Sequence, residues 1–214
     1  MAKVPRREQQ RSLETKSVLL QAALTEFANN GFEGATTRWI AEQAGVNHNL
    51  IRHHFGSKED LWKATARHVF EMYQGRIEDR LAGLEGVDPT TVTKLLLREF
   101  ILFSASVPEF HRFMMQANQG DAERLSWLAD EFLRFGTQQE LQTLEAGQDF
   151  GIFKSGDALH LRFIFIGAAT SIFTFAAEFK LLTGRDPFAP DMIEQHVDVI
   201  LNLFGGIDSQ HENS

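Results

Sequence analysis

The sequence predicts an all-α fold in two parts, a compact N-terminal three-helix unit and a larger helical body. Apolar residues recur at three- and four-residue spacing along the chain, and no alternating segment competes as a strand. Strong breaks are confined to Gly86 to Pro89, Pro108, Gly120, Gly147 to Gly156 and Gly184 to Pro190. One stretch, Ala35 to Lys58, reads A-T-T-R-W-I-A-E-Q-A-G-V-N-H-N-L-I-R-H-H-F-G-S-K and sets two short amphipathic patterns around one glycine.

The first helix is expected from about Ser12 to Asn30. Leu20, Ala23, Leu24 and Phe27 form its apolar stripe, and Gly31 followed by Phe32 reads as a Schellman stop. Thr36 is the expected N-cap of the second helix, whose apolar face is Ile40, Ala41 and Ala44. Gly45 then permits a sharp turn. Val46, Leu50, Ile51 and Phe55 supply the buried side of the third helix, leaving Asn47, His48, Asn49, Arg52 and His53 outward. Hydrogen-bonding groups and one fixed cation on an outward face suit base edges and phosphates. Ser57, with Asp60 three residues on, opens a fourth helix. A helical hairpin that serves packing alone is the structural alternative, and His54 beside Phe55 can equally be a packing histidine. A metal site on Asn47, His48 and His53 is disfavoured, because their side chains point around a helix and no carboxylate or cysteine completes a shell.

The segment L-L-Q-A-A-L-T-E-F-A-N-N-G-F-E-G-A-T-T-R-W-I-A-E-Q-A-G-V, followed by L-I-R-H-H-F-G-S-K-E-D-L, resembles the N-terminal signature of the TetR family of one-component transcriptional regulators. The resemblance covers about a quarter of the chain. It implies DNA contacts at Thr37 and Arg38, at His48, Asn49, Arg52, His53 and His54 of the recognition helix, and at Lys58. The family usually carries tyrosine where this chain has Arg52, which would turn a phenol-to-phosphate contact into a stronger, more salt-dependent guanidinium contact. The implied fold is a helix-turn-helix DNA-binding domain over residues 1–60, followed by a helical ligand-binding and dimerisation domain over 61–214.

Composition agrees with an intracellular regulator. The 214 residues include no cysteine, which excludes disulfides and thiolate metal sites. The basic start M-A-K-V-P-R-R is not followed by an apolar signal region, and no run reaches a membrane span, so a cytoplasmic protein is expected. The formal net charge of −8 is uneven: residues 1–60 hold eight Lys and Arg against seven Asp and Glu, the remainder 13 against 22. An acidic body helps to orient the other end toward phosphates. Lys3, Arg6, Arg7 and Arg11 read either as a DNA-reaching arm or as an ordinary solubilising tail.

Beyond Leu61, helices are expected at about 58–83, 90–106, 108–118, 121–147, 158–183 and 190–205. The helix at 158–183 is apolar on two sides, so one side needs a partner. Gly167, Ala168, Ser171 and Phe175, together with Met192, His196, Val199 and Leu203 of the last helix, are the candidate faces of a twofold four-helix interface. Phe103, Phe110, His111, Met114, Trp127 and Phe165 are candidates to line a cavity for a small apolar or aromatic effector, although aromatic stripes of this kind serve cores as readily. His160 and Asn118 are further polar candidates.

The leading expectation is a homodimeric repressor on an approximately palindromic operator in double-stranded DNA. An adaptor that recruits a protein partner without an inducer is the alternative, which an exposed apolar patch would favour. An enzyme is not expected, since nucleophile elbow, phosphate loop and zinc-binding spacing are all lacking, and no cofactor or metal is implied.

Overall fold

The computed structural model describes residues 6–149, 151 and 153–205, so Lys3 of the basic arm lies outside the described residues. Among the described residues eleven α-helices run in order, and an isolated antiparallel bridge between Phe153 and Gly205 is the β-type pairing. They are α1 (Arg6–Gly34), α2 (Thr37–Gln43), α3 (Asn49–Phe55), α4 (Lys58–Leu81), α5 (Pro89–Ser106), α6 (Pro108–Gln119), α7 (Ala122–Leu128), α8 (Arg134–Asp149), α9 (Ala158–Thr174), α10 (Ala176–Thr183) and α11 (Pro190–Phe204). The chain forms two units, one of residues up to Tyr73 with Glu109–Leu128, the other of Gln74–Pro108 with the residues from Ala129 onward.

The first unit has its core along α1. Leu20, Ala23, Leu24 and Phe27 are buried as their spacing predicts, and Ile40 and Ala41 of α2 and Ile51 of α3 are buried with them. The first unit extends past residue 60, where the sequence suggested a boundary. Leu61, Trp62, Ala66, Val69 and Phe70 of α4 are buried, and α6 and α7 supply their partners. The Trp62 ring lies 5.3 Å from Phe113 and 5.9 Å from Trp127, and Phe70 meets Phe110 edge-on at 5.2 Å. These aromatic pairs join segments distant in sequence, which local periodicity does not reveal.

The second unit packs α5, α9 and α11 around Ile101, Ala105, Ala169, Phe173, Val197, Ile200 and Phe204. Two long helices expected here are interrupted. The segment expected as one helix over 121–147 contains a π-helical turn at Ala129–Leu133 between α7 and α8. The helix expected over 158–183 breaks at Phe175 (φ −100°, ψ 32°), and α9 and α10 meet at a 64° bend. Just before the break, the Thr170 and Ser171 hydroxyls donate to the carbonyls of Ile166 and Ala168, side-chain bonding that loosens and bends helices. Among the described residues no single helix is long and apolar enough to cross a membrane.

Candidate nucleic-acid interface

The helix-turn-helix is held by local hydrogen bonds that its sequence supplies. Thr36 caps α2, its hydroxyl accepting from the Trp39 N–H at 3.2 Å. Its own N–H donates at 2.9 Å to Glu26, a buried carboxylate that also accepts from Asn30 at 2.8 Å. Glu26 is thus the tether of α2 to α1. Sequence reading missed it, because a glutamate inside an apolar stripe resembles any helix-surface acid.

Gly45 takes φ +65° after α2, with its N–H on the Glu42 carbonyl at 3.1 Å and the Val46 N–H on Ala41 at 3.0 Å. These are the two bonds of a Schellman motif, and they bring the chain round to α3 within a few residues. The Asn47 carboxamide oxygen accepts from the Asn49 N–H at 2.9 Å and pins the first turn of α3. Gly56 closes α3, and the Ser57 hydroxyl caps α4 by accepting from the Asp60 N–H at 3.0 Å.

α3 turns Ile51 inward and leaves Asn49, Arg52 and His53 exposed, with His48 exposed just ahead of it. Thr37 and His48 share a hydrogen bond of 2.9 Å (Oγ1 to Nε2), joining the start of α2 to the start of α3. Arg38 is exposed, and its pairing with Glu42 at 3.8 Å is a surface contact of little energetic weight. His54 is half-buried, its ring against His53 at 5.1 Å and Phe55 at 6.2 Å. Burial, then the neighbouring charges of His53 and Lys16, lower its pKa, so it is held neutral more firmly than a free imidazole. Lys58 donates to the Glu33 backbone carbonyl at 3.4 Å and stands 4.7 Å from the Phe32 ring centroid.

The six cavity candidates are divided between the two units. Phe110, His111, Met114 and Trp127 belong to the first unit, and Phe103 and Phe165 to the second. Phe110 is core against Phe70, and the face of Trp127 is covered by Lys63 and Arg67 at 5.4 and 5.0 Å. Burial pushes the His111 pKa down to about 4. Phe103 is fully buried with the Arg76 guanidinium 5.7 Å from its ring, while Phe165 packs on Phe100 and Phe204. Asn118 bonds its own helix at the Met114 carbonyl, and exposed His160 pairs with Asp157 at 2.7 Å. An apolar cavity of about 210 Å³ does occur in the second unit, lined by Leu144, Phe153, Leu161, Ile164, Leu203 and Phe204, with Lys154 also on its wall.

Of the interface candidates, Gly167, Phe175, Val199 and Leu203 are exposed, and Ala168 and Ser171 are half-buried. Met192 is buried in its own unit. His196 is half-buried, bonded to the Ala169 carbonyl at 3.1 Å and edge-on to Phe173. Among the described residues, no group of three or more His, Asp or Glu is placed to hold a metal ion.

Comparison with known proteins places this geometry among relatives. The profile for bacterial regulatory proteins of the tetR family matches residues 19–65. The HTH-type transcriptional regulator BetI of Escherichia coli O139:H28 is 32% identical over 160 residues, 67% of this chain and 79% of BetI. The HTH-type transcriptional regulatory protein RaaS of Mycobacterium tuberculosis is 45% identical over 71 residues, 33% of this chain, and the chain spans only 32% of RaaS. Among solved structures, AibR in complex with isovaleryl coenzyme A and operator DNA has a TM-score of 0.68 at 16% identity, covering 89% of this chain and 98% of that one. A TetR family transcription regulator from Marinobacter aquaeolei VT8 has a TM-score of 0.67 at 17% identity, with 92% and 99% covered. At such identities these two structures speak for the fold alone.

Proposed function

The chain belongs to the tetR family of bacterial regulatory proteins, and on that premise we propose that this DNA-binding transcriptional regulator is a cytoplasmic repressor, released from its operator by a small, largely apolar ligand. The observation that carries the reading is the exposed face of α3, where Asn49, Arg52 and His53 stand outward beside His48 while Ile51 anchors the helix to the core. Asparagine suits adenine edges, and arginine suits guanine or phosphate. Thr37, Arg38 and Lys58 flank that face and would bind backbone, with His54 the least available of the set. Residues 1–60 carry the DNA function in this reading, and 61–214 the effector and dimer functions.

The protein acts as a homodimer. Phe163 of α9, Phe175 just beyond its end, and Val199 and Leu203 of α11, at 50–61% exposure, are large apolar side chains left uncovered on the second unit, of the kind an interface would cover. A second copy related by a twofold axis would cover them and present two α3 helices to successive major grooves, about 34–36 Å apart. The same surface is what an adaptor would offer to a different protein, and the oligomeric state of the purified protein separates the two readings. The apolar pocket of about 210 Å³, open on the side of Ile164 and Leu203, has room for a compact effector. AibR, a fold relative, forms a complex with isovaleryl coenzyme A and operator DNA.

Selection of duplexes from random DNA tests the reading. An approximate palindrome with half-sites about one helical turn apart is the expected product. Recovery of single, unrepeated sites overturns the dimeric repressor, and recovery of no enriched sequence overturns the sequence-specific one.

A further inference from the structure

Lys58 is surrounded by charges that the groove-facing surface does not use. Arg124 of α7 lays its guanidinium 3.8 Å from the centroid of the Phe32 ring. From there it donates to the Glu33 carboxylate at 3.0 Å and to the Glu59 carboxylate at 3.4 Å. The Arg124 side chain is only 15% exposed, so its charge is less screened than that of a surface arginine. Lys58 stands on the same Phe32 ring and holds the backbone carbonyl of the same Glu33. An ammonium has three donors, so Lys58 keeps capacity for a phosphate oxygen. The two carboxylates that Arg124 holds compete for that capacity, one on the residue whose carbonyl Lys58 already touches and one on the residue next to it in sequence, which also meets Lys63 at 3.5 Å.

Arginine suits this task. Its planar fork engages two carboxylates while its face stacks on an aromatic ring, which a lysine ammonium does not do. The approach of this part of the chain is also close: a Cβ built on Gly31 would lie 2.8 Å from the Gln116 side-chain oxygen of α6.

We propose that Arg124 is a positioning residue for DNA binding, which occupies Glu33 and Glu59 so that the Lys58 ammonium is left for a DNA phosphate. Without Arg124, the Glu33 carboxylate, joined by the Glu59 oxygen that Lys63 does not meet, draws Lys58 onto itself and the phosphate contact is lost, although Lys58 itself is intact. This inference rests on the proposed DNA-binding role of Lys58 and adds the residue that keeps it available.

The test is the salt dependence of binding to a duplex recovered by selection, where each phosphate contact contributes about 0.9 to the slope of log K against log salt. Lys58→Gln is measured in three backgrounds. In the otherwise unchanged protein it should lower the slope by about one contact; in Arg124→Gln, whose slope has already fallen, it should do nothing further. In Arg124→Gln with Glu33→Gln and Glu59→Gln, its effect should return. A Lys58→Gln effect that persists in Arg124→Gln makes Arg124 a packing residue only and overturns the proposal, as does failure of the carboxylate substitutions to restore it. Arg124→Met, which keeps the aliphatic stem over Phe32, serves if Arg124→Gln unfolds and should behave in the same way. Arg52→Ala separates this proposal from its premise. If it lowers the slope while Lys58→Gln does not, the protein binds DNA and the Lys58 arrangement is wrong; if neither variant binds differently from the parent, the DNA interface itself is wrong.

Discussion

Arg52 is exposed on α3 and makes no ion pair among the described residues, so its charge is at the disposal of a ligand. Arg52→Ala is expected to weaken binding to all duplexes by a similar factor and to lower the salt slope by about one contact. His48 and Asn49 carry a different expectation, because their groups suit base edges. Substituting either should relax preference at particular base pairs, at about 1–3 kcal/mol for a good base contact, which selection with the variant would reveal. Thr37→Val should share part of the His48 phenotype, since the hydroxyl that orients the imidazole is lost. His111 makes a separate prediction about stability. Its pKa is near 4 in the folded chain and near 6.5 in the unfolded one, so the unfolded chain binds more protons between those values. The protein should therefore lose stability as pH falls from about 6.5 to 4, by up to about 3 kcal/mol, and this part of the loss should level off below 4. Denaturation of His111→Gln across that range should show a flatter dependence, and an identical slope would show that other groups carry it.

Among the elements, α1 shows how a single residue ends one helix and seats another. Gly31 adopts φ +66° and ψ −178°, a region open essentially to glycine alone, and the chain then makes one more turn before Thr36. Gly31→Ala should destabilise the protein by about 1–3 kcal/mol through backbone strain. The accompanying clash is with the mobile end of Gln116, so Gln116→Ala should recover little of the loss in a thermal denaturation experiment. Thr36→Ala removes the α2 cap and should cost about 1 kcal/mol. Thr36 is legible as a cap and Gly31 as a break, although with ψ −178° Gly31 is not the left-handed residue of the Schellman stop expected there. The bend at Phe175 is not legible. Its sequence repeats the apolar spacing of a continuous helix, and only the hydroxyls of Thr170 and Ser171 hint at an interruption.

For the whole molecule, the exposed apolar surface of the second unit gives the clearest expectation. Val199→Asp with Leu203→Asp should shift the protein from dimer to monomer in sedimentation equilibrium and weaken operator binding, because one α3 would lose its partner half-site. An unchanged dimer would place the interface elsewhere. Effector and operator should weaken each other's binding by the same factor, as linkage requires. Titrating a candidate ligand with and without operator checks this, and equal affinities in the two titrations identify a bystander.

The sequence by itself determined the helical class, the boundaries of the shorter helices and the turn chemistry from Thr36 to Ser57, because these depend on residues within a few positions of one another, while the interruptions at Ala129–Leu133 and Phe175 escaped it. It also pointed to the outward face of α3, since a period of 3.6 residues decides which side chains oppose Ile51. Only the tertiary structure decided what long-range packing controls. It assigned α6 and α7 to the first unit, divided the six cavity candidates between the two units, and buried Met192. It also brought Arg124 to Phe32, Glu33 and Glu59. A Phe or Arg on a helix carries the same local pattern whether it meets a cavity, a core or a carboxylate, and the difference lies in segments far away along the chain.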